Sequence, residues 1–160
     1  MSEKPFILVT NDDGIHAKGL RELVEVMHFF GDVAVISSEV SMSGKSCAIT
    51  VDQPLRATEI EKILGVPTYK STGTPVDSVK LSFNSLFERT PDFVVSGINH
   101  GANSGISVIY SGTMGAAIEG SLHGVPSIGF SLDDYSADAD FSKAKIVVAK
   151  IFQSVMENGL

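Results

Sequence analysis

The sequence has 160 residues, of which 43% are hydrophobic and 19% charged, so it suits one folded domain and excludes a disordered chain. A net charge of −7 without a Lys/Arg stripe disfavours a protein that coats nucleic acid, whereas a small phosphate ligand stays compatible with it. Because the sequence has no membrane-length apolar run, no signal-peptide pattern and only Cys47 as a cysteine, we expect a cytoplasmic protein that binds no membrane.

The first elements predict a strand–helix–strand unit. Phe6–Thr10 is a continuous apolar run, which is typical of a strand covered on both faces. Apolar residues at helical spacing then predict a helix over residues 17–30, with Gly31 as a left-handed cap. Residues 33–36 predict a second buried strand, and a parallel crossover of this kind is right-handed by default.

The middle of the sequence predicts a small β excursion. A polar loop with five serines covers residues 37–46. Short β-like segments follow at 48–51, 55–57 and 68–70, around a small helix predicted at 59–64.

A second long helix is predicted to begin in the segment Gly73–Asp77. Thr74 is its expected N-cap, and Pro75 its expected first residue. Its buried stripe is predicted to consist of Val79, Phe83 and Leu86.

The last part of the sequence predicts two more strands, at 93–95 and 127–130, and a helix of small residues at 113–123. The Gly-, Asn- and Ser-rich loop at 96–110 is long for a strand-to-helix connection, which favours a functional role. A final helix is predicted to bury Phe141, Ala144, Val148, Ile151, Phe152 and Val155. Together the elements predict one α/β domain over residues 1–160, with a mostly parallel sheet and helices on both faces.

Two adjacent carboxylates, Asp12 and Asp13, follow the first predicted strand. Ligands of open α/β sheets lie outside the carboxyl ends of the strands, and this is where these residues fall. Their mutual repulsion would be relieved by a bound dication, and oxygen ligands suit Mg²⁺, Mn²⁺ or Ca²⁺. The alternative is a solvated turn that favours the start of the next helix electrostatically.

Three later segments offer further ligands, each with an ordinary structural alternative. Ser43–Gly44 combines a hydroxyl with an accessible backbone, although such pairs are usually plain loops. In the long loop, Asn99 offers an amide oxygen for a metal, while His100 and Asn103 can hydrogen-bond a phosphate; the alternative is a glycine-rich turn. Tyr110–Thr113 begins a helix whose free N–H groups attract phosphate, or else it is a simple N-cap.

Five segments resemble, in order and spacing, the SurE family of survival proteins, the 5′/3′-nucleotidases. The resemblance runs from about Phe6 to Leu132 and depends on the segments jointly rather than on one motif. The segments are 9–15, 43–44 with 49–50, 73–80, 95–103 and 110–120.

The resemblance implies a Rossmann-like three-layer core and one divalent cation per subunit, Mg²⁺ or Mn²⁺ with Ca²⁺ as an alternative. It implies metal-dependent hydrolysis of nucleoside 5′- and 3′-monophosphates by water, activity on short polyphosphate, and a homodimer or tetramer. The implied metal ligands are Asp12, Asp13, Ser43 and Asn99, of which Asp12, Asp13 and Asn99 are the expected catalytic residues. The implied substrate-binding residues are Asn11, Ser43, Gly44, Asn103, Ser111, Gly112 and Thr113.

The sequence departs from the family in two places. The segment Ser37–Met42 carries no cation, where family members often have an arginine. Family members also continue into C-terminal arms, a region that we expect to be absent from this chain. A metal- or nucleotide-binding module that is inactive without that region therefore stays open as an alternative. The acidic pair leaves a second one open, an aspartyl-phosphate phosphatase with Asp12 or Asp13 as nucleophile, although the usual Asp-x-Asp start of that class is missing.

Overall fold

Six strands form one sheet in the computed structural model, which describes residues 4–160. The strands are β1 (Phe6–Thr10), β2 (Asp32–Ser38), β3 (Ala57–Glu59), β4 (Thr68–Ser71), β5 (Phe93–His100) and β6 (Ser127–Leu132). They lie in the order β3-β4-β2-β1-β5-β6, and every neighbouring pair is parallel except β3 with β4. The predicted mostly parallel α/β sheet is thus confirmed, with β1 at its centre.

Helices cover both faces of the sheet. They are α1 (Lys18–Met27), α2 (Pro75–Leu81), α3 (Ser107–Tyr110), α4 (Gly112–Leu122) and α5 (Ser142–Asn158), and a π-helical turn at Ser82–Leu86 continues α2. One apolar core joins α1 and α5 to Ile7 and Val9 of β1, whereas the other joins α2 and α4 to Leu8. Successive side chains of a strand point to opposite faces, so a strand between two helical layers must be apolar throughout. None of the helices within residues 4–160 is both long and apolar enough to cross a membrane.

The end of α1 differs from its prediction. The helix stops at Met27, and Gly31 does not adopt a left-handed conformation, so the predicted left-handed cap is wrong. Glycine is required at this position for space, because a Cβ atom there would lie 2.2 Å from the Pro5 carbonyl oxygen.

The β excursion is confirmed only in part. Residues 48–51 form no strand, and the strand predicted at 55–57 lies two residues later as β3. The small helix predicted at 59–64 is wrong. A bridge between Ile63 and Val66 encloses a two-residue turn with φ angles of 50° and 81°, and left-handed residues of this kind favour a tight hairpin turn over a helix.

Strand β5 runs five residues beyond its predicted end, through the first part of the predicted loop. Its pairing with β6 shifts between Ser96 and Asn99 and then resumes, with Asn99 opposite Ser131. Gly97, with a φ of 124°, lies within this irregularity, where its glycine backbone allows the strand to bend. The extension carries Asn99 and His100 to the carboxyl edge of the sheet.

The predicted start of α2 is confirmed. The Thr74 hydroxyl accepts a hydrogen bond from the Asp77 N–H at 3.1 Å, and the Asp77 carboxylate accepts one from the Thr74 N–H at 2.9 Å. This reciprocal pair is a capping box. Thr50 also donates its hydroxyl to Asp77 at 2.6 Å, which holds the loop after β2 against the helix. Of the predicted stripe, Val79 is fully buried, while Phe83 and Leu86 are only half-buried in the π-helical turn.

Helix α5 buries a narrower face than predicted. Val148, Phe152 and Val155 are buried, but Ile151 is 42% exposed, so its predicted burial is wrong. The Phe152 ring packs edge-on against Phe30 and Phe93, each at 5.2 Å between ring centroids.

We expect Phe152→Ala to lower the free energy of unfolding by about 3–5 kcal/mol, because it empties a fully packed aromatic site. The neighbouring Ile151→Ala serves as the control and should cost less than about 1 kcal/mol, since that side chain is largely outside the core. Urea denaturation followed by circular dichroism measures both. Equal losses would contradict the assigned orientation of α5.

Candidate functional site

The loops after β1, β2 and β5 meet at the carboxyl edge of the sheet, because these three strands are neighbours. A cavity of about 210 Å³ lies there. Six of the predicted site residues line it, together with His100: Asp12, Ser43, Gly44, Asn99, Asn103 and Ser111. Segments that are far apart in sequence thus converge on one place, while Asp13, also a predicted metal ligand, is outside the cavity lining.

Asp12 forms the buried floor of this site. Its side chain is 4% exposed, and one carboxylate oxygen accepts a hydrogen bond of 2.5 Å from the Thr113 hydroxyl. Gly112 lies directly beside it, because a Cβ atom at position 112 would approach the Asp12 Cβ to 2.7 Å. Gly112 and Thr113 therefore support Asp12 from the start of α4, and neither is part of the cavity lining.

Asp13 is half-buried and faces the end of β5. Its carboxylate accepts a hydrogen bond of 3.1 Å from the His100 backbone N–H. Burial raises the pKa of Asp13; the His100 N–H lowers it, and the neighbouring Asp12 carboxylate raises it again. Two acidic groups are thus held side by side, and the net effect of their surroundings disfavours the charged form of Asp13.

The side chain of Asn99 is oriented by its own loop. Its amide nitrogen donates to the carbonyl oxygens of Gly101 at 2.7 Å and His100 at 3.0 Å. With both donor positions used in this way, the amide oxygen is left as a free acceptor, and no hydrogen bond reaches it within residues 4–160.

The loop that carries Ser43 and Gly44 is attached to both neighbouring loops. The Met42 N–H donates to the Asp12 carbonyl oxygen at 2.7 Å, and the Ser46 N–H donates to the Tyr110 carbonyl oxygen at 3.2 Å. Ser43 has its hydroxyl 2.9 Å from that of Ser41, and Gly44 adopts a φ of 75°. These attachments bring the second predicted segment to the cavity.

Asn103 and Ser111 line the cavity while also making structural hydrogen bonds. The Asn103 amide donates to the Ser131 hydroxyl at 2.9 Å. The Ser111 hydroxyl accepts a bond of 3.1 Å from the Met114 N–H, so it caps α4 as the ordinary alternative predicted.

Asn11 is a predicted substrate-binding residue whose side chain, 1% exposed, is buried outside the cavity lining. Its amide donates to the Gly14 carbonyl oxygen at 3.0 Å and accepts a hydrogen bond from the Ser37 hydroxyl. The side chain thus fixes the turn after β1 to β2.

Tyr135 lines the cavity and is not among the residues predicted from the sequence. It lies in the acidic segment after β6, where no local motif marks a binding residue. Tyr135 reaches the cavity because β6 pairs with the far end of β5, where Leu132 is the register partner of His100.

The donor set fits a hard dication. Within residues 4–160 no group of three or more His, Cys, Asp or Glu side chains could hold a metal, so a site here depends on two carboxylates completed by neutral oxygens. Ser43 and Asn99 offer such oxygens, and Mg²⁺, Mn²⁺ and Ca²⁺ accept them. The lining contains no Lys or Arg side chain, and His100 is its one residue whose Coulombic interaction lowers the pKa of Asp13.

The chain is similar to known proteins over nearly its whole length. The family model described as "Survival protein SurE" matches residues 7–160. A 5′-nucleotidase SurE of Cytophaga hutchinsonii is 51% identical over 158 residues, which are 98% of this chain and 61% of that protein. One of Bacteroides fragilis is 48% identical, over 99% of this chain and 62% of that protein.

A SurE protein of Aquifex aeolicus with a crystal structure has the same fold, with a TM-score of 0.87 and 35% identity. The match covers 98% of this chain and 62% of the Aquifex chain. This chain therefore spans somewhat less than two thirds of the length of these relatives.

We expect Thr113→Val to lower the free energy of unfolding by about 1–3 kcal/mol, because the buried Asp12 carboxylate loses a hydrogen-bond donor. Thr10→Val is a matched control, since the buried Thr10 hydroxyl has no hydrogen-bond partner within residues 4–160. Its removal should leave stability unchanged or slightly raised. Urea denaturation compares the two, and an equal loss in both variants would count against the supporting role of Thr113.

Proposed function

The chain belongs to the SurE family of survival proteins, and from this membership and the cavity we propose that it hydrolyses nucleoside 5′- and 3′-monophosphates to nucleoside and phosphate. One divalent cation, Mg²⁺ or Mn²⁺, would be held by Asp12, Asp13, Ser43 and Asn99. The convergence of two carboxylates and two neutral oxygen donors beside a cavity without Lys or Arg is the observation that carries the proposal.

The family relatives support the reaction class. Those from Cytophaga hutchinsonii and Bacteroides fragilis are both named 5′-nucleotidase SurE. Activity on 3′-monophosphates and on short polyphosphate, and assembly into a homodimer or tetramer in the cytoplasm, belong to the same proposal. The net charge of −7 supports a small phosphate substrate over a nucleic-acid polymer.

Asp12 and Asp13 would hold the cation in a fixed position. When bound, the ion would supply Lewis-acid polarisation of a phosphoryl oxygen and of the attacking water. Thr113 keeps one Asp12 oxygen engaged, which fixes the rotation of the carboxylate. The His100 N–H does the same for Asp13, and the Asn99 amide is turned so that its oxygen is available.

The phosphate would lie between the loop after β2 and the start of α4. Asn103 and Ser111 supply polar groups in the lining, and Gly44 exposes backbone. Helix α4 begins beside Asp12, with the N–H groups of Gly112 and Thr113 in its first turn. Unsatisfied N–H groups at the start of a helix favour binding of an anion. Fixed donors of this kind also stabilise charge that develops in the transition state. Asn11 contributes by holding the turn that carries Asp12 and Asp13.

We expect Asp12→Asn to reduce phosphate release from nucleoside monophosphates by at least about 100-fold, because one anchoring charge is lost while the side-chain shape is kept. The exposed Asp138→Asn is the control and should retain full activity. Phosphate release with Mg²⁺ or Mn²⁺ measures both, and circular dichroism verifies the fold. Full activity of Asp12→Asn would overturn the assignment. Metal binding by the wild type without any hydrolysis would favour the inactive binding module instead.

Metal removal provides a separate prediction. Saturating Mn²⁺ or Mg²⁺ should raise the melting temperature of the wild type, since a ligand at 100 times its Kd adds about 2.7 kcal/mol to the free energy of unfolding. The increase should disappear in Asp12→Asn, and chelator should abolish hydrolysis. Differential scanning fluorimetry measures the shift, and equal shifts in wild type and variant would place the ion elsewhere.

A further inference from the structure

Two exposed tyrosine rings border the cavity from different elements. Tyr110 ends α3 and is 58% exposed, while Tyr135 follows β6 and is 76% exposed. Isolated exposed apolar side chains are ordinary features of protein surfaces. These two, however, line the same small cavity as Asp12, Asn99 and Ser111.

Tyr135 is held in place although it is exposed. Its ring lies against the Gly101 backbone, because a Cβ atom at that glycine would come within 2.2 Å of a ring carbon. The Gly101 N–H donates to the carbonyl oxygens of Leu132 at 2.8 Å and Asp134 at 3.1 Å. On the other side, the Asp134 carboxylate accepts hydrogen bonds from the backbone and hydroxyl of Ser136, at 2.8 and 2.6 Å. A ring on such a restrained turn loses little conformational freedom when it binds a ligand.

Tyr110 belongs to a second exposed apolar segment, earlier in the chain than Tyr135, where it ends the short helix α3. Ile106 and Ile109, on and beside the same short helix, are 70% and 64% exposed. The Tyr110 backbone is connected to the loop of Ser43 and Gly44 through the Ser46 N–H. The isoleucines are outside the cavity lining, so the cavity itself combines acidic and polar side chains with two aromatic rings.

From this combination we propose that Tyr135, together with Tyr110, forms the surface that binds the nucleobase of the substrate. The inference rests on the proposed function and adds to it how the leaving nucleoside is recognised. An aromatic ring stacks on every base, because all bases present a flat face. The surface should therefore accept all four bases, and purines, which have the larger face, should bind more tightly than pyrimidines.

The test compares adenosine 5′-monophosphate with ribose 5-phosphate, which has the same phosphate and sugar but no base. In Tyr135→Ala the KM for adenosine 5′-monophosphate should rise about tenfold with kcat little changed, as expected for loss of one stacking partner. The kinetics with ribose 5-phosphate should stay at the wild-type level, and Tyr135→Phe should retain wild-type values with both. Phe29→Ala removes a ring that is 84% exposed and outside the cavity lining, and it should change nothing. Equal changes with both substrates, or none with either, would overturn the inference.

Adenosine binding separates this inference from the hydrolysis itself. Saturation-transfer NMR on the wild type should show magnetisation reaching the purine protons of adenosine, and Tyr135→Ala should lose most of that signal. This result would support the base surface even if no phosphate ester were hydrolysed, in which case the proposed function alone would fail. Absence of adenosine binding by the wild type, or equal signals in the variant, would overturn the base surface.

Discussion

Two adjacent carboxylates are held at the end of the central strand, and the arrangement of the neighbouring loops and of α4 follows from this constraint. Asp12 is almost completely buried, and Asp13 is half-buried, beside a lining that has no Lys or Arg. Burying one charge without a partner is costly, and a second like charge next to it raises the cost. Asp12 accepts a hydrogen bond from Thr113, and for Asp13 the His100 N–H offsets only part of the cost, so its pKa stays raised. This remaining imbalance is what makes the edge of the sheet suited to a dication.

The packing of α4 follows from the same constraint. Its first residue must be glycine for the helix to approach Asp12, and its second supplies the hydroxyl that holds the carboxylate. The helix is rich in small residues farther along, where Gly120 lies against Val94 of β5. Because α4 packs closely on the sheet, its first residues lie beside the acidic pair. The small residues of α4 thus contribute both to the core and to the site.

The sequence predicted the parts of the fold that local patterns determine. The apolar run of β1, the Thr74 cap of α2 and the position of Asp12 after a strand were all correct, because each depends on neighbouring residues. The length of β5 was not predictable in this way, since its second half is stabilised by pairing with β6, some 30 residues later. The place of Tyr135 depends on that same pairing. The exposed Ile151 was missed because helical spacing alone does not say how wide a face the sheet covers.

Three buried hydroxyl groups that add nothing to stability lie on the strands that carry the cavity. The hydroxyls of Thr10, Ser38 and Ser96 are buried and have no hydrogen-bond partner within residues 4–160. Thr10 and Ser38 are the last residues of β1 and β2, and Ser96, in the middle of β5, is the direct register partner of Thr10. A buried hydroxyl without a partner costs free energy that an apolar residue of the same shape would avoid. Departures from stable packing are expected at functional sites, and Thr10 and Ser38 directly precede the loops after β1 and β2. The unpaired hydroxyls that end β1 and β2 thus lie on the same edge of the sheet as the acidic pair.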